Sequence, residues 1–298
     1  MEHARRGFRA MGSPCELRLY ARDAAAAARA LDLAEAEIAR LEAKYTRYRD
    51  DSETTRINRG AGDARGVEVD AETAALLDYA AVAHAESDGL FDITSGVLRR
   101  VWRFDRGTLP DPGDVAALLP LIGWHRVSWR RPRLVLPTRG MEIDFGGVVK
   151  EYAVDTVVEL CRREGVAHGL VDLGGDIGVI GPHPDGSPWR VGIRDPWNAE
   201  RAAAVLAMAD GGLATSGDYE RCIEIDGRRY GHILDPRDGW PVRSLVSVSV
   251  RAPRCIVAGT AATTALLRGR EGGPPWLAGL GLPHLTIDRD GTIGGTLE

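Results

Sequence analysis

Cysteine is scarce in this chain and poorly placed for a metal. The four, Cys15, Cys161, Cys222 and Cys255, form no CxxC pair and have no histidine at finger distance. That pattern excludes a structural zinc module and leaves small, reduced, apolar side chains of a cytoplasmic protein. Long apolar runs are missing too. No stretch of about 18 consecutive apolar residues occurs, so no membrane-spanning helix is expected. The N-terminal MEHARRGFRAMGSPCELRLYA lacks the apolar segment and the lipobox-like cysteine of an export signal. Lysine is nearly absent: Lys44 and Lys150 are the only lysines among 38 basic residues. Where arginine is the default cation, a lysine draws attention. Basic charge is not in excess, because 43 acidic residues leave a net charge of −5. A chain without a basic footprint is a poor nucleic-acid binder.

What is present is a globular composition. The 298 residues are 44% hydrophobic and 27% charged, enough to bury a core without disulfides or metals. ELRLYA at 16–21 alternates as a strand. The segment after Asp23 carries Leu31, Ile38, Leu41 and Tyr45 at helical spacing, with Asp23 as N-cap. Residues 47–66 are polar, without either period, and read as a loop. AETAALLDYAAVAHAESDG is a second amphipathic helix closed by Gly89, and WHRVSWRRPRLVL is a hairpin. MEIDFGG ends a strand, and VKEYAVDTVVELCRREGV is a helix buried through Tyr152, Val154, Val157, Val158 and Cys161. Later segments are short strands in hairpin runs, then the helix RCIVAGTAATTALLRG and a terminal hairpin. Hairpin runs favour an α+β fold with antiparallel sheets over a doubly wound parallel sheet. With no repeat or linker in view, the chain reads as one bilobed domain over 1–298.

Several clusters could carry chemistry. Residues 214–242 place Thr215, Ser216 and Gly217 before a strand pair, and His232 and Asp235 after it. The amides of such a turn suit a phosphate or a flavin edge, and His232 suits acid–base work; a capped turn with one core histidine fits equally well. VDLGGDIGVIG is not GxGxxG, and no helix follows it, which disfavours a Rossmann site. IDFGGVVKEYAVD is a Gly-Gly turn into a helix start, with Lys150 in the first turn. Free amides there can receive an anion, which would offset the unfavourable placing of a cation at that end. Phe91 and Asp92 in SDGLFDITSGVL read by themselves as packing and a cap.

Taken in order, MGSPCEL, YRDDSETTRIN, SDGLFDITSGVL, IDFGGVVKEYAVD, VDLGGDI, PWRVGIRDP, LATSGDYER, YGHILDPRDGWPV and VAGTAATTALLRG resemble the FAD:protein FMN transferase family, from about residue 8 to about residue 270. The resemblance implies an α+β fold with FAD in a cleft between lobes. It also implies a Mg²⁺-dependent reaction in which FMN passes from FAD to a Thr hydroxyl of an acceptor flavoprotein, releasing AMP. Some relatives hydrolyse FAD instead. Flavin contacts carry over to Met11, Tyr48, Leu90, Phe91, Asp92, Asp144, Lys150 and Leu234, with Thr215, Ser216 and Gly217 lining the cleft. His232, Lys150 and Asp235 become the catalytic candidates, and the carbonyl of Gly147 and the hydroxyl of Thr263 the metal ligands.

The chain departs from the family pattern at two places. Ala-Asp-x-x-x-Thr becomes Ala258-Gly259-Thr260-Ala261-Ala262-Thr263, which removes a carboxylate ligand. Glu151 stands where relatives have Gly after the Lys, an adverse charge near a pyrophosphate site. Magnesium prefers carboxylate oxygens, so weaker metal binding is expected unless Asp144, Asp176 or Asp218 substitutes. A chain that kept the cleft and lost the chemistry is the rival reading, and on it Gly259→Asp should raise turnover.

Overall fold

The computed structural model describes residues 1–198 and 200–297. It opens with a hairpin, β1 (Glu2–Ala10) and β2 (Ser13–Ala21), paired along its whole length. Met11 and Gly12 make the two-residue turn, both at positive φ (51° and 74°), as a tight hairpin twist requires. The sequence had shown only the second half of this hairpin, because arginines break the visible alternation of β1. Helix α1 (Ala24–Tyr45) starts on Asp23, which accepts from the Ala26 amide at 2.8 Å. A short helix, α2 (Glu53–Arg59), occupies the expected loop. It is capped by Ser52 and buries only Thr54 and Ile57, too few positions to show a period.

Strand β3 (Val67–Glu68) and helix α3 (Ala71–Glu86) follow, with Gly89 at φ 82° beyond the helix end. A 3-10 stretch runs over Ile93–Arg100, then helix α4 (Pro112–Leu118) and the hairpin β4 (Ser128–Arg130) and β5 (Arg133–Val135). The expected strand at 141–147 is irregular backbone instead. Met141, Ile143 and Phe145 are buried in alternation, but the Asn58 side chain takes both backbone groups of Ile143, at 2.8 and 3.0 Å. The local pattern of a strand is met without a partner strand.

Helix α5 (Val149–Arg163) leads into β6 (His168–Leu173) and β7 (Asp176–Gly181). Then come the ribbon β8 (Trp189–Arg194) and β9 (Ala202–Met208), strand β10 (Gly212–Gly217), and the hairpin β11 (Cys222–Ile225) and β12 (Arg228–Gly231). Strand β13 (Leu245–Ala252), helix α6 (Cys255–Gly279, kinked at Gly269), and β14 (His284–Asp288) with β15 (Ile293–Gly295) complete the chain.

One sheet of eight strands, ordered β1-β2-β6-β7-β10-β13-β14-β15, runs through the fold, and its neighbours are antiparallel. Alternation along the strands serves both faces. Val171 and Leu173 join the main core with α1, α3, α5 and α6, while Leu170 joins Trp189, Val191 and Leu206 of the β8–β9 ribbon. The fold is therefore α+β, with helices on one face of an antiparallel sheet. No helix among the described residues is long and apolar enough to cross a membrane.

Helix α5 sits tightly on this sheet. A Cβ at Gly178 of β7 would lie 2.6 Å from Val154 and 2.8 Å from Val158, so a glycine there sets the helix–sheet distance. Helix α6 has no cap of its own. The buried carboxylate of Asp155 on α5 instead accepts from the Cys255 and Ile256 amides at 2.8 and 3.0 Å. Asp155→Ala would orphan both amides, and a loss of about 2 kcal/mol of stability is expected in urea unfolding. Asp155→Asn keeps an acceptor and should lose less. Equal midpoints for all three proteins would show that this cap does not hold α6.

Candidate active site

The α5–α6 side of the sheet opens into a cavity of about 520 Å³. Its walls come from parts of the chain far apart in sequence. The β1–β2 turn brings Met11, the segment after α1 brings Tyr48, and residues 90–99 bring Leu90, Phe91 and Arg99. The turn into α5 brings Asp144, Gly147, Lys150 and Glu151. Asp176 stands at the start of β7, Thr215, Ser216 and Gly217 at the end of β10, and His232 and Leu234 after β12. Thr263 enters from α6.

One end is apolar and aromatic. Phe91 is buried and packs on Gly147, where a Cβ would meet its ring at 3.5 Å. Tyr48 is 86% exposed at the rim, so it is not a packing residue and is free to cover a planar ligand. The Asp92 carboxylate, unlike its neighbours, is spent inside the fold. It accepts from the Thr94 amide and hydroxyl at 2.8 and 2.6 Å and from the Trp124 amide at 2.9 Å. Asp144 accepts from Gly146 N at 2.8 Å and pairs with Arg47 at 3.1 Å, which fixes the 144–147 turn.

The other end is cationic. Lys150 Nζ lies 2.8 Å from Asp176 Oδ2. Burial alone would lower the lysine pKa, but Asp176 and Glu151 hold it above the usual value, so it stays charged. Arg99 and Arg221 also line the cavity, and among the described residues neither has a carboxylate within ion-pair distance. Neither stands out in the sequence, because nearly all of its 38 basic residues are arginine. Arg99 donates to the His232 carbonyl at 3.2 Å. His232 itself is uncharged. Burial first, then Arg99, Arg221 and Lys150, push its pKa down to about 3, and its buried Nδ1 has no hydrogen-bond partner.

Asp235 does not line the cavity, a correction to its expected catalytic place. Its carboxylate caps Arg237 N at 2.9 Å and pairs with the Arg237 guanidinium at 2.6 Å within its own turn. Asp218 is likewise consumed. It is fully buried between Arg229 at 3.3 Å and Arg289 at 2.8 Å, and it is no substitute ligand. The oxygens in the cavity wall that a cation could use include the Gly147 backbone, Thr263, Asp176 and Glu151. Thr263 Oγ1 and Ser216 Oγ are 2.8 Å apart, while Thr215 Oγ1 bonds Ser249 at 2.7 Å. Among the described residues no three His, Cys, Asp or Glu side chains gather as a metal site. Two carboxylates beside neutral oxygens fit Mg²⁺, which completes its shell with water and phosphate. The buried Glu151 Oε2, without a hydrogen-bond partner, is the donor that a cation would satisfy.

Residues 11–285 match the ApbE family. The chain is 34% identical over 281 residues to an FAD:protein FMN transferase of Treponema pallidum, covering 88% of this chain and 77% of that protein. It is 35% identical over 246 residues to one from Klebsiella pneumoniae, covering 80% and 74%. The apo flavinyl transferase ApbE of Pseudomonas stutzeri superposes with a TM-score of 0.87 at 30% identity, over 99% of this chain and 95% of that one. The ApbE protein of Thermotoga maritima superposes at 0.92 with 26% identity, over 99% and 97%. The chain belongs to the ApbE family.

The state of His232 has a consequence for stability. The imidazole is neutral when folded and free to protonate near pH 6.5 when unfolded, so acid favours the unfolded chain. Between pH 7 and pH 5 this one group should remove up to about 2 kcal/mol. Urea unfolding of the protein and of His232→Gln at both pH values measures it. The variant should lose less stability on acidification, and parallel losses would mean His232 already protonates in the fold.

Proposed function

We propose that this member of the ApbE family transfers FMN from FAD to a Thr hydroxyl of an acceptor flavoprotein and releases AMP. The observation that carries the reading is the polarity of the cavity. Met11, Leu90, Phe91 and exposed Tyr48 form one end, and Lys150, Arg99, Arg221 and hydroxyls form the other. A ligand with a planar apolar ring and a pyrophosphate matches that division. Its relatives at 34% and 35% identity are named FAD:protein FMN transferases, which supports the transfer of FMN from FAD.

In this reaction the acceptor oxygen forms a bond to the FMN phosphorus, and the bond from that phosphorus to the AMP oxygen breaks. Little of this needs covalent help from the protein, so positioning and charge stabilisation dominate. Lys150, held in place by Asp176, and the unpaired Arg99 and Arg221 bind the pyrophosphate oxygens. Neutral His232, with a free Nδ1, takes the proton of the attacking hydroxyl. Gly147, Thr263 and the nearby acids would hold Mg²⁺, which supplies further charge neutralisation on the phosphates when bound. The apolar end, with buried Phe91 and exposed Tyr48, orients the isoalloxazine ring.

The test is AMP release and covalent flavin on an acceptor flavoprotein, with FAD and Mg²⁺ supplied. AMP that appears only with acceptor, matched by flavin on its Thr, is the expected result. AMP formed equally fast without acceptor would replace transfer by FAD hydrolysis, and bound FAD without AMP would overturn the enzyme reading. His232→Ala should lower the rate by at least about 100-fold, with the remaining FAD affinity measured by fluorescence quenching. An unchanged rate would remove His232 from the mechanism. For Lys150→Ala the loss should fall on FAD affinity and rate together.

A further inference from the structure

We infer that Glu151 supplies, from helix α5, a carboxylate ligand to the divalent cation of this cavity, and that the bare Gly259 on α6 is the space it occupies. The inference rests on the reading that a cation works beside the phosphates here.

Helix geometry puts the two residues together. Positions 151 and 155 lie one turn apart on the same face of α5. Asp155 caps the amides of Cys255 and Ile256, so Glu151 meets α6 one turn further on, at Gly259. The contact is close. A Cβ on Gly259 would stand 2.5 Å from Glu151 Oε1, 2.6 Å from Cγ and 2.8 Å from Cδ. With Glu151 in this position the two would overlap, so a side chain at 259 would have to displace the Glu151 carboxyl. Conversely, the space that an acid at 259 would fill already holds the carboxyl of Glu151.

That carboxyl is placed as a ligand would be. Glu151 is only 8% exposed, it lines the cavity, and its Oε2 has no hydrogen-bond partner. A buried carboxylate without a partner is costly, and a nearby acid makes it worse. Asp176 is such an acid, and Lys150 is already paired with it. A divalent cation is the partner that removes both costs. Thr263 lies one turn beyond Gly259 on the same face of α6, and its hydroxyl meets Ser216 at 2.8 Å in the cavity wall. The acid on α5 and the glycine on α6 thus form one contact beside the cavity.

Mn²⁺ as the probe, followed by electron paramagnetic resonance of the free ion, tests this on the whole protein with FAD present. Glu151→Gln, nearly isosteric, should weaken Mn²⁺ binding by at least about tenfold, the scale even outer partners of a metal carry. Glu151→Gly with Gly259→Asp should return affinity to within about threefold of the parent, because the acid reaches the site from the other helix. Gly259→Asp alone should lower the urea midpoint through overlap with Glu151, rather than raise turnover. Equal Mn²⁺ affinity in the parent and Glu151→Gln would overturn the inference and leave the transferase reading standing. A parent that binds no Mn²⁺ while still transferring FMN would overturn the inference and the cation reading together, but not the transfer. If Glu151→Gln fails to fold, Glu151→Ala is measured in the same way, and parent-like Mn²⁺ affinity in it overturns the inference equally.

Discussion

Helix α6 begins on a carboxylate that belongs to another helix, and much of the cavity depends on that loan. Asp155 satisfies the amides of Cys255 and Ile256 from the middle of α5. Two charge-assisted bonds in a buried place are among the stronger local interactions a fold can make. They fix the rotation of α6 about its axis, and with it the direction in which Thr263 points. They also fix the face of α5 that meets α6, which is the face carrying Glu151. On its other side α5 is held to β7 at the distance that Gly178 permits. Lys150, at the start of the same helix, therefore reaches Asp176 at the start of β7. The Lys150, Glu151 and Asp176 part of the charged end is thus set by how three elements pack.

That packing gives His232 a state that changes with the ligand. Its pKa is low because it is buried and because Arg99, Arg221 and Lys150 stand around it. The same three cations face the phosphate end. When an anionic ligand neutralises them, the electrostatic part of the depression shrinks and the burial part remains. The imidazole is then a better proton acceptor with its substrate bound than without. As the base of the proposed reaction, His232 would then avoid protonation in the empty protein and strengthen when the substrate is bound. The arrangement needs no acid partner on the histidine, and the unpaired Nδ1 agrees with that.

The elements legible in the sequence were those with a long period and a cap. Helix α1 shows Asp23 and a stripe of apolar residues, and α5 shows its apolar face directly. Strand β1 and helix α2 were not legible: arginines mask the alternation of one, and the other buries only Thr54 and Ile57. Residues 141–147 mislead for a different reason. Their alternation is real, but Asn58, far away in sequence, takes the place of a strand. Of the candidate site residues, Met11, Tyr48, Phe91, Lys150, Ser216, His232 and Thr263 line one cavity. No spacing rule gathers them, and only the order of the motifs suggested that they meet. Asp235 failed because an Asp-x-Arg turn closes on itself, while Arg99 and Arg221 were invisible among so many arginines.

Glu151 and Gly259 show why residue-by-residue reading falls short at such a site. Read singly, one is an adverse charge and the other a lost ligand, and each argues for a weakened protein. What a cation experiences is the position of oxygen atoms and the charge they carry, not the helix that delivers them. Because α5 and α6 touch at this point, a side chain at 259 would overlap the volume that the Glu151 carboxyl occupies. Glycine opposite the acid leaves the Glu151 carboxyl in the place it holds. The burial of Glu151 beside Asp176 would be a liability in a protein that bound no cation, since hydrophobic packing of the same volume is often at least as stable. On the proposed reading, the buried acid without a partner, next to a second acid already paired to lysine, would be matched by positive charge that arrives with the ligand.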